Sequence, residues 1–176
     1  MRQKVTTVEE IKETALAIAV KDGIDRLSVR RLAQACGIAV GSMYNYYPNK
    51  EALLDAVSSA FWEDILRGQE NIYRRGMGFV AFLEQYYGFL YSRLLHYDRG
   101  WLARMNGSRP QMREALLLFE RVLEEDRRVN PAIWNMELSR QAFLQYVFVN
   151  VIALLQAGEK NCRFFIYLLE RLLYHV

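Results

Sequence analysis

Apolar residues recur along this chain at spacings of three and four almost from end to end, the period of helices that bury one face. Ile11, Ala15, Ile18 and Ala19 form the first stripe, in a helix predicted over 7–22 and closed by Gly23. Thr7 with Glu10, or Thr6 with Glu9, has the spacing of a capping box at its start. Val29, Leu32, Ala33 and Cys36 stand at i, i+3, i+4 and i+7 of a second helix. Ser28 can accept a hydrogen bond from its first amides, and Gly37 supplies the backbone for a sharp turn. A third, short helix over 40–46 turns Met43 inward, with Tyr47 beside it, and leaves Ser42, Tyr44, Asn45 and Tyr46 near the surface. Pro48 stops it, and Asn49 caps a fourth helix, predicted from Lys50 to about residue 73 with Leu53, Leu54, Val57 and Phe61 inward.

The same period predicts further helices over 79–97, 101–106, 110–129, 135–157 and 160–175, broken at 74–78, at Asn130-Pro131 and at Gly158. No Asn-Gly or Asp-Gly pair sits between alternating runs, and only three prolines occur. Strand signals are therefore almost missing. The fold class that follows is all-α: an N-terminal three-helix domain over 1–50, then a helical domain over 51–176.

Composition and charge narrow the function. Apolar residues make up 52% and charged residues 24% of the chain, an ordinary globular balance. No apolar run reaches the roughly 18 residues of a membrane span, so no membrane partner is expected. The polar N-terminus lacks the apolar core of a signal peptide, which predicts a cytoplasmic protein. Cys36 and Cys162 lie far apart, outside ligand or disulfide spacing. The two histidines, His96 and His175, show no metal spacing. A serine nucleophile elbow and a phosphate-binding glycine loop are also missing, so neither catalysis, metal nor cofactor is expected. The net charge of +3 sits wholly in residues 1–50, which hold eight Lys/Arg against five Asp/Glu, while the rest carries 15 of each. That excess coincides with the helix-turn-helix pattern, the footprint of a polyanion partner.

The residues around the third helix suit duplex DNA. Lys50 opens a helix, where a cation opposes the helix dipole at a cost of about 0.3–1 kcal/mol; a phosphate beside it reverses that sign. Ser28 and the amides behind it suit a phosphate oxygen, and Arg30 and Arg31 face outward with Gln34. Tyr44 and Tyr46 can donate to phosphates while their rings cover sugar or a thymine methyl. Val40 and Gly41 begin the helix, Gly41 allowing close approach to base edges. Ser42 and Asn45 carry groups suited to those edges, Asn being matched to adenine. Arg2 and Lys4 either extend this surface as a basic arm or belong to a disordered tail.

These residues resemble a known family. The run from Ile11 to Leu54 is similar to the N-terminal domain of TetR-type transcriptional regulators, through Leu32-Ala33, Cys36-Gly37-Ile38, Gly41-Ser42-Met43-Tyr44 and the tail Tyr47, Asn49, Lys50 and Leu53. One departure is Ala39, where the family carries Ser or Thr; Ala39 lacks the side-chain cap, worth about 1 kcal/mol. Tyr47 replaces the family's usual Phe. The resemblance implies an all-helical homodimeric regulator whose C-terminal part dimerises and binds a small effector that releases DNA, most simply a repressor on a near-palindromic operator. A second reading keeps the DNA head in a nucleoid-associated or scaffold protein controlled by a protein partner.

The C-terminal half offers surfaces for both roles. The last helix repeats Phe164-Phe165, Leu168-Leu169 and Leu172-Leu173 every four residues. With the preceding helix it predicts a dimer interface of Phe143, Val147, Val151 and Leu154 against Phe165, Leu168, Leu169 and Leu172. Trp62, Phe82, Tyr86, Trp101 and Phe119 are the candidates to line an effector pocket.

Overall fold

Helix starts are set by side chains that take up first-turn amides, and the computed structural model, which describes residues 7–97 and 109–174, shows most of these caps made. Helix α1 (Val8–Asp22) opens on the complete capping box of Thr7 and Glu10, with hydrogen bonds of 3.1 and 3.0 Å. Gly23, at φ 91°, ends it. Helix α2 (Val29–Cys36) starts on Ser28, whose hydroxyl accepts from the Arg31 amide at 3.2 Å. It ends on Gly37 in the left-handed conformation, φ 67°. Helix α3 (Val40–Tyr46) follows two residues later. Helix α4 (Lys50–Leu66) starts on Asn49, whose Oδ1 accepts from the Ala52 amide at 2.8 Å.

The described residues divide into two units, and the division falls inside α4, after Asp64. In the first unit α1 packs on α2 and α2 on α3. Ile11, Ala15, Ala19, Leu32, Ala33, Met43, Leu53 and Val57 are fully buried there. The unit runs past residue 50 because the first half of α4 supplies part of that apolar interior. Lys12 Nζ also meets the Glu63 carboxylate at 2.6 Å, joining α1 to α4 within the unit.

The second unit contains helices α5 (Phe79–Leu94), α6 (Arg109–Glu125), α7 (Arg140–Gln156) and α8 (Arg163–Tyr174). Helix α5 packs on α6 and α8, and α6 on α7. Five boundaries differ from the periodicity by three residues or more: α5 ends at Leu94 instead of 97 and α6 at Glu125 instead of 129, and three others have a visible cause. Helix α4 stops at Leu66 instead of near residue 73, because Gly68 takes φ 87° and Gln69 turns inward to accept from the Tyr86 hydroxyl at 2.9 Å. Helix α7 starts at Arg140 instead of 135, because Asn135 Oδ1 takes the amides of Glu137 and Leu138, both at 2.8 Å, and Ser139 caps the helix. Helix α8 starts at Arg163 instead of 160, with Asn161 Oδ1 accepting from the Arg163 amide. The helix expected over 101–106, Trp101 within it, and the arm of Arg2 and Lys4 lie outside the described residues.

A buried carboxylate ties the second unit together. Helix α5 begins on Gly78, which has no capping side chain. Its cap comes from Asp126, just past the end of α6, whose Oδ2 accepts from the Phe79 amide at 2.8 Å. The same carboxylate accepts from the Tyr174 hydroxyl of α8 at 2.6 Å and from Arg128 Nε at 2.9 Å. Burial alone would raise its pKa, but these hydrogen bonds outweigh burial and hold it at about 2. Gly78 leaves room for this cluster: a Cβ there would lie 1.0 Å from the Arg128 guanidinium and 2.9 Å from Asp126 Oδ2, so a side chain would displace the Arg128 head.

Burial divides the dimer stripe expected from sequence, leaving Leu168 and Leu172 exposed. Phe143, Val147, Val151, Phe165 and Leu169 are buried in the interior of their own unit, and Leu154 is half-buried. A helix advances about 100° per residue, so each adjacent apolar pair on α8 is split. Phe165, Leu169 and Leu173 turn inward, while Phe164, Leu168 and Leu172 turn to the surface with Tyr167. On α7 the exposed large apolar residues are Tyr146 and Val149.

Candidate nucleic-acid interface

Helix α3 has one buried residue, Met43. With Tyr47, the buried residue just beyond it, Met43 anchors the seven-residue helix and fixes which side faces out. Gly41, Ser42, Tyr44, Asn45 and Tyr46 are exposed and Val40 is half-buried. Tyr44 and Tyr46 keep 49% and 43% of their surface, large for aromatic rings with an apolar interior beside them. Ala39 makes no side-chain cap, as its methyl requires. A Cβ built on Gly41 meets nothing within 4 Å, so nothing within the chain demands glycine at this place.

The flanking residues fall partly as expected. Lys50, at the first position of α4, is exposed, and so are Ser28 and Arg30. Arg31 differs: it is half-buried, and its Nη2 meets Asp22 Oδ2 at 2.7 Å. That ion pair ties α2 to the end of α1 and removes much of the freedom Arg31 would need to reach a ligand. Helical periodicity places Arg31 outward, but an acid nine residues earlier is invisible to periodicity.

The candidate pocket residues are packed as core. Phe119 stands edge-on to Phe82 at 5.6 Å and to Tyr86 at 4.9 Å between ring centroids. All three are fully buried. Trp62 belongs to the first unit and is also buried, its indole N–H left without an acceptor. The feature that sequence reasoning missed is Asp126. A hint was present: an acid at the C-terminal end of a helix opposes the dipole and implies another partner.

Residues 6–57 match the family model described as bacterial regulatory proteins, tetR family. The chain carries a TetR-family N-terminal domain. The transcriptional repressor DrrR1 of Streptomyces coeruleorubidus is 35% identical over 106 residues, covering 59% of this chain and 37% of the repressor. The chain thus spans just over a third of the length of the curated relatives it matches. Fold similarity to solved TetR-like structures extends further. RolR without ligand superposes with a TM-score of 0.69 at 17% identity, over 93% of this chain and 89% of RolR. BioQ, solved with its double-stranded DNA operator, gives 0.64 at 19% identity, over 93% of each chain. At these identities the likeness shows a shared TetR-like all-helical fold. Among the described residues no helix is long and apolar enough to cross a membrane.

Proposed function

We propose that this chain is a homodimeric DNA-binding transcriptional regulator, a cytoplasmic repressor without enzymatic activity that leaves a near-palindromic operator when a small effector binds. The observation that carries the reading is the outward face of α3, where Tyr44, Asn45, Tyr46 and Ser42 stand exposed on a helix pinned from behind by Met43. In this reading Ser42, Asn45, Val40 and Gly41 meet base edges. Tyr44, Tyr46, Lys50, Ser28 and Arg30 hold the phosphate backbone, and Arg31 supports α2 through Asp22. Two such helices in a two-fold dimer enter successive major grooves about 34 Å apart. Retention of genomic fragments by the intact protein in a gel-shift assay tests the reading; a protein that retains none removes it.

The dimer surface in this proposal is the exposed stripe of Phe164, Tyr167, Leu168 and Leu172, with Tyr146 and Val149 of α7. A face this apolar suits a self-complementary contact. The double variant Phe164→Glu/Leu168→Glu is expected to sediment as a folded monomer, and one that sediments like the parent sinks the assignment.

Effector control rests on one donor. Trp62 Nε1 is buried without an acceptor, a state that costs about 1–3 kcal/mol, and a ligand carrying an acceptor would remove that cost. The close packing of Phe82, Tyr86 and Phe119 favours instead the second reading, a nucleoid-associated or scaffold protein controlled by a protein partner. A DNA complex unaffected by every metabolite screened, yet dissociated by a copurifying protein, would decide for the latter.

A further inference from the structure

We infer that the base pairs lying under α3 in the bound operator are A·T pairs, read from the major groove by Asn45 and by apolar contacts to thymine methyl groups; the inference rests on the DNA-binding reading above. The observation is the chemistry of the outer face of α3. From Val40 to Tyr46 the helix contains no Arg, Lys, Asp or Glu. Its outward positions offer a bare backbone at Gly41, a hydroxyl at Ser42, two phenols and one carboxamide, Asn45. In the major groove guanine shows two acceptors, N7 and O6, whose matching side chains are Arg and Lys. Cytosine shows an N4 donor, matched by Glu or Asp. This face has none of those side chains.

Adenine is different. It shows an acceptor and a donor side by side, N7 and N6, and the carboxamide of Asn45 carries the complementary pair. The thymine methyl is met by apolar surface, here the methyls of Val40 and the rings of Tyr44 and Tyr46. Ser42 accepts either kind of pair. The nearby cations belong to other helices: Arg30 to α2, Lys50 to the start of α4, and Arg31 is held by Asp22. Contacts they make to guanine or phosphate are therefore additional to the α3 footprint. The open space around Gly41 leaves the backbone there accessible to a base edge.

Selection of the intact chain against a randomised duplex pool gives the first test, with A·T pairs expected at the core of each half-site. Modified bases then locate the groove. Inosine·cytosine keeps the minor groove of A·T but presents the major groove of G·C, while diaminopurine·thymine does the reverse. Each inosine·cytosine replacement in the core is expected to weaken binding about tenfold, as G·C does, and diaminopurine·thymine to stay within about twofold. Asn45→Ala is expected to lose the preference for adenine at one core position, with the melting temperature unchanged.

A core of G·C pairs overturns the inference while leaving the DNA-binding reading intact. So does tolerance of inosine·cytosine, which would move the preference to minor-groove width or bending. A pool from which no duplex is enriched removes the underlying reading and this inference with it.

Discussion

Asp126→Ala is expected to lower the melting temperature of this protein by about 8–15 °C. Three helices meet at this carboxylate. Its removal leaves the Phe79 amide and the Tyr174 hydroxyl without their acceptor, and two orphaned donors at about 1–3 kcal/mol each cost about 3–5 kcal/mol together. The Arg128 side chain is 59% exposed, so its charge rehydrates and adds little. Asp126→Asn retains the shape and should lose less. The pH dependence has a defined sign. Asp126 has a folded pKa of about 2, below the ordinary carboxylate value, so its contribution is complete above about pH 4 and is lost as the pH falls through 2. Tyr174 is raised to about 12 by burial and then by its bond to Asp126. Its contribution is complete below about pH 10 and is lost as the pH rises through 12. The parent should therefore lose stability below pH 4 by an amount that Asp126→Asn does not. Calorimetry across pH measures both, and an alanine variant melting within about 2 °C of the parent would refute the account.

Tyr44→Ala and Lys50→Ala are each expected to weaken operator binding about tenfold or more, the range for a lost hydrogen bond to a charged group. The two should be distinguishable by salt. Lys50→Ala removes one cation from the phosphate contact and should reduce the slope of log affinity against log salt by about 0.9. Tyr44→Ala should leave that slope unchanged. Stability should move the other way at Lys50. Its charge opposes the dipole of α4, so the alanine variant should be as stable as the parent or gain about 0.3–1 kcal/mol. Fluorescence anisotropy on a selected duplex over a range of salt, beside a thermal melt, separates lost contact from lost fold. Parent-like affinity in both variants would remove the proposed interface.

Local signals made much of the first unit legible before any coordinates. The Thr7–Glu10 capping box, the Ser28 cap, the turn at Gly37 and the start at Lys50 each depend on residues within four positions of one another. The outward side of α3 was equally readable, because Met43 and Tyr47 leave no other side to bury. Elsewhere local signals misled. Asn135 has the look of a helix residue by period, yet its side chain folds back on two amides. Phe165 and Leu169 carry the same chemistry as Phe164 and Leu168, and only packing decides which pair meets the core.

Sequence alone determined the all-helical class, the helix-turn-helix, and an outward side of α3 with hydroxyl and amide chemistry but no charge, because capping, turning and helical period act over one or two turns of chain. Only the tertiary structure decided the rest: that Arg31 is held by Asp22, that Asp126 caps a helix 47 residues away, that the aromatic residues fill their own core, and which apolar stripe of α8 stays exposed. Those choices depend on which helix faces come together, and a pairing between residues distant in the chain leaves no mark on the spacing of either.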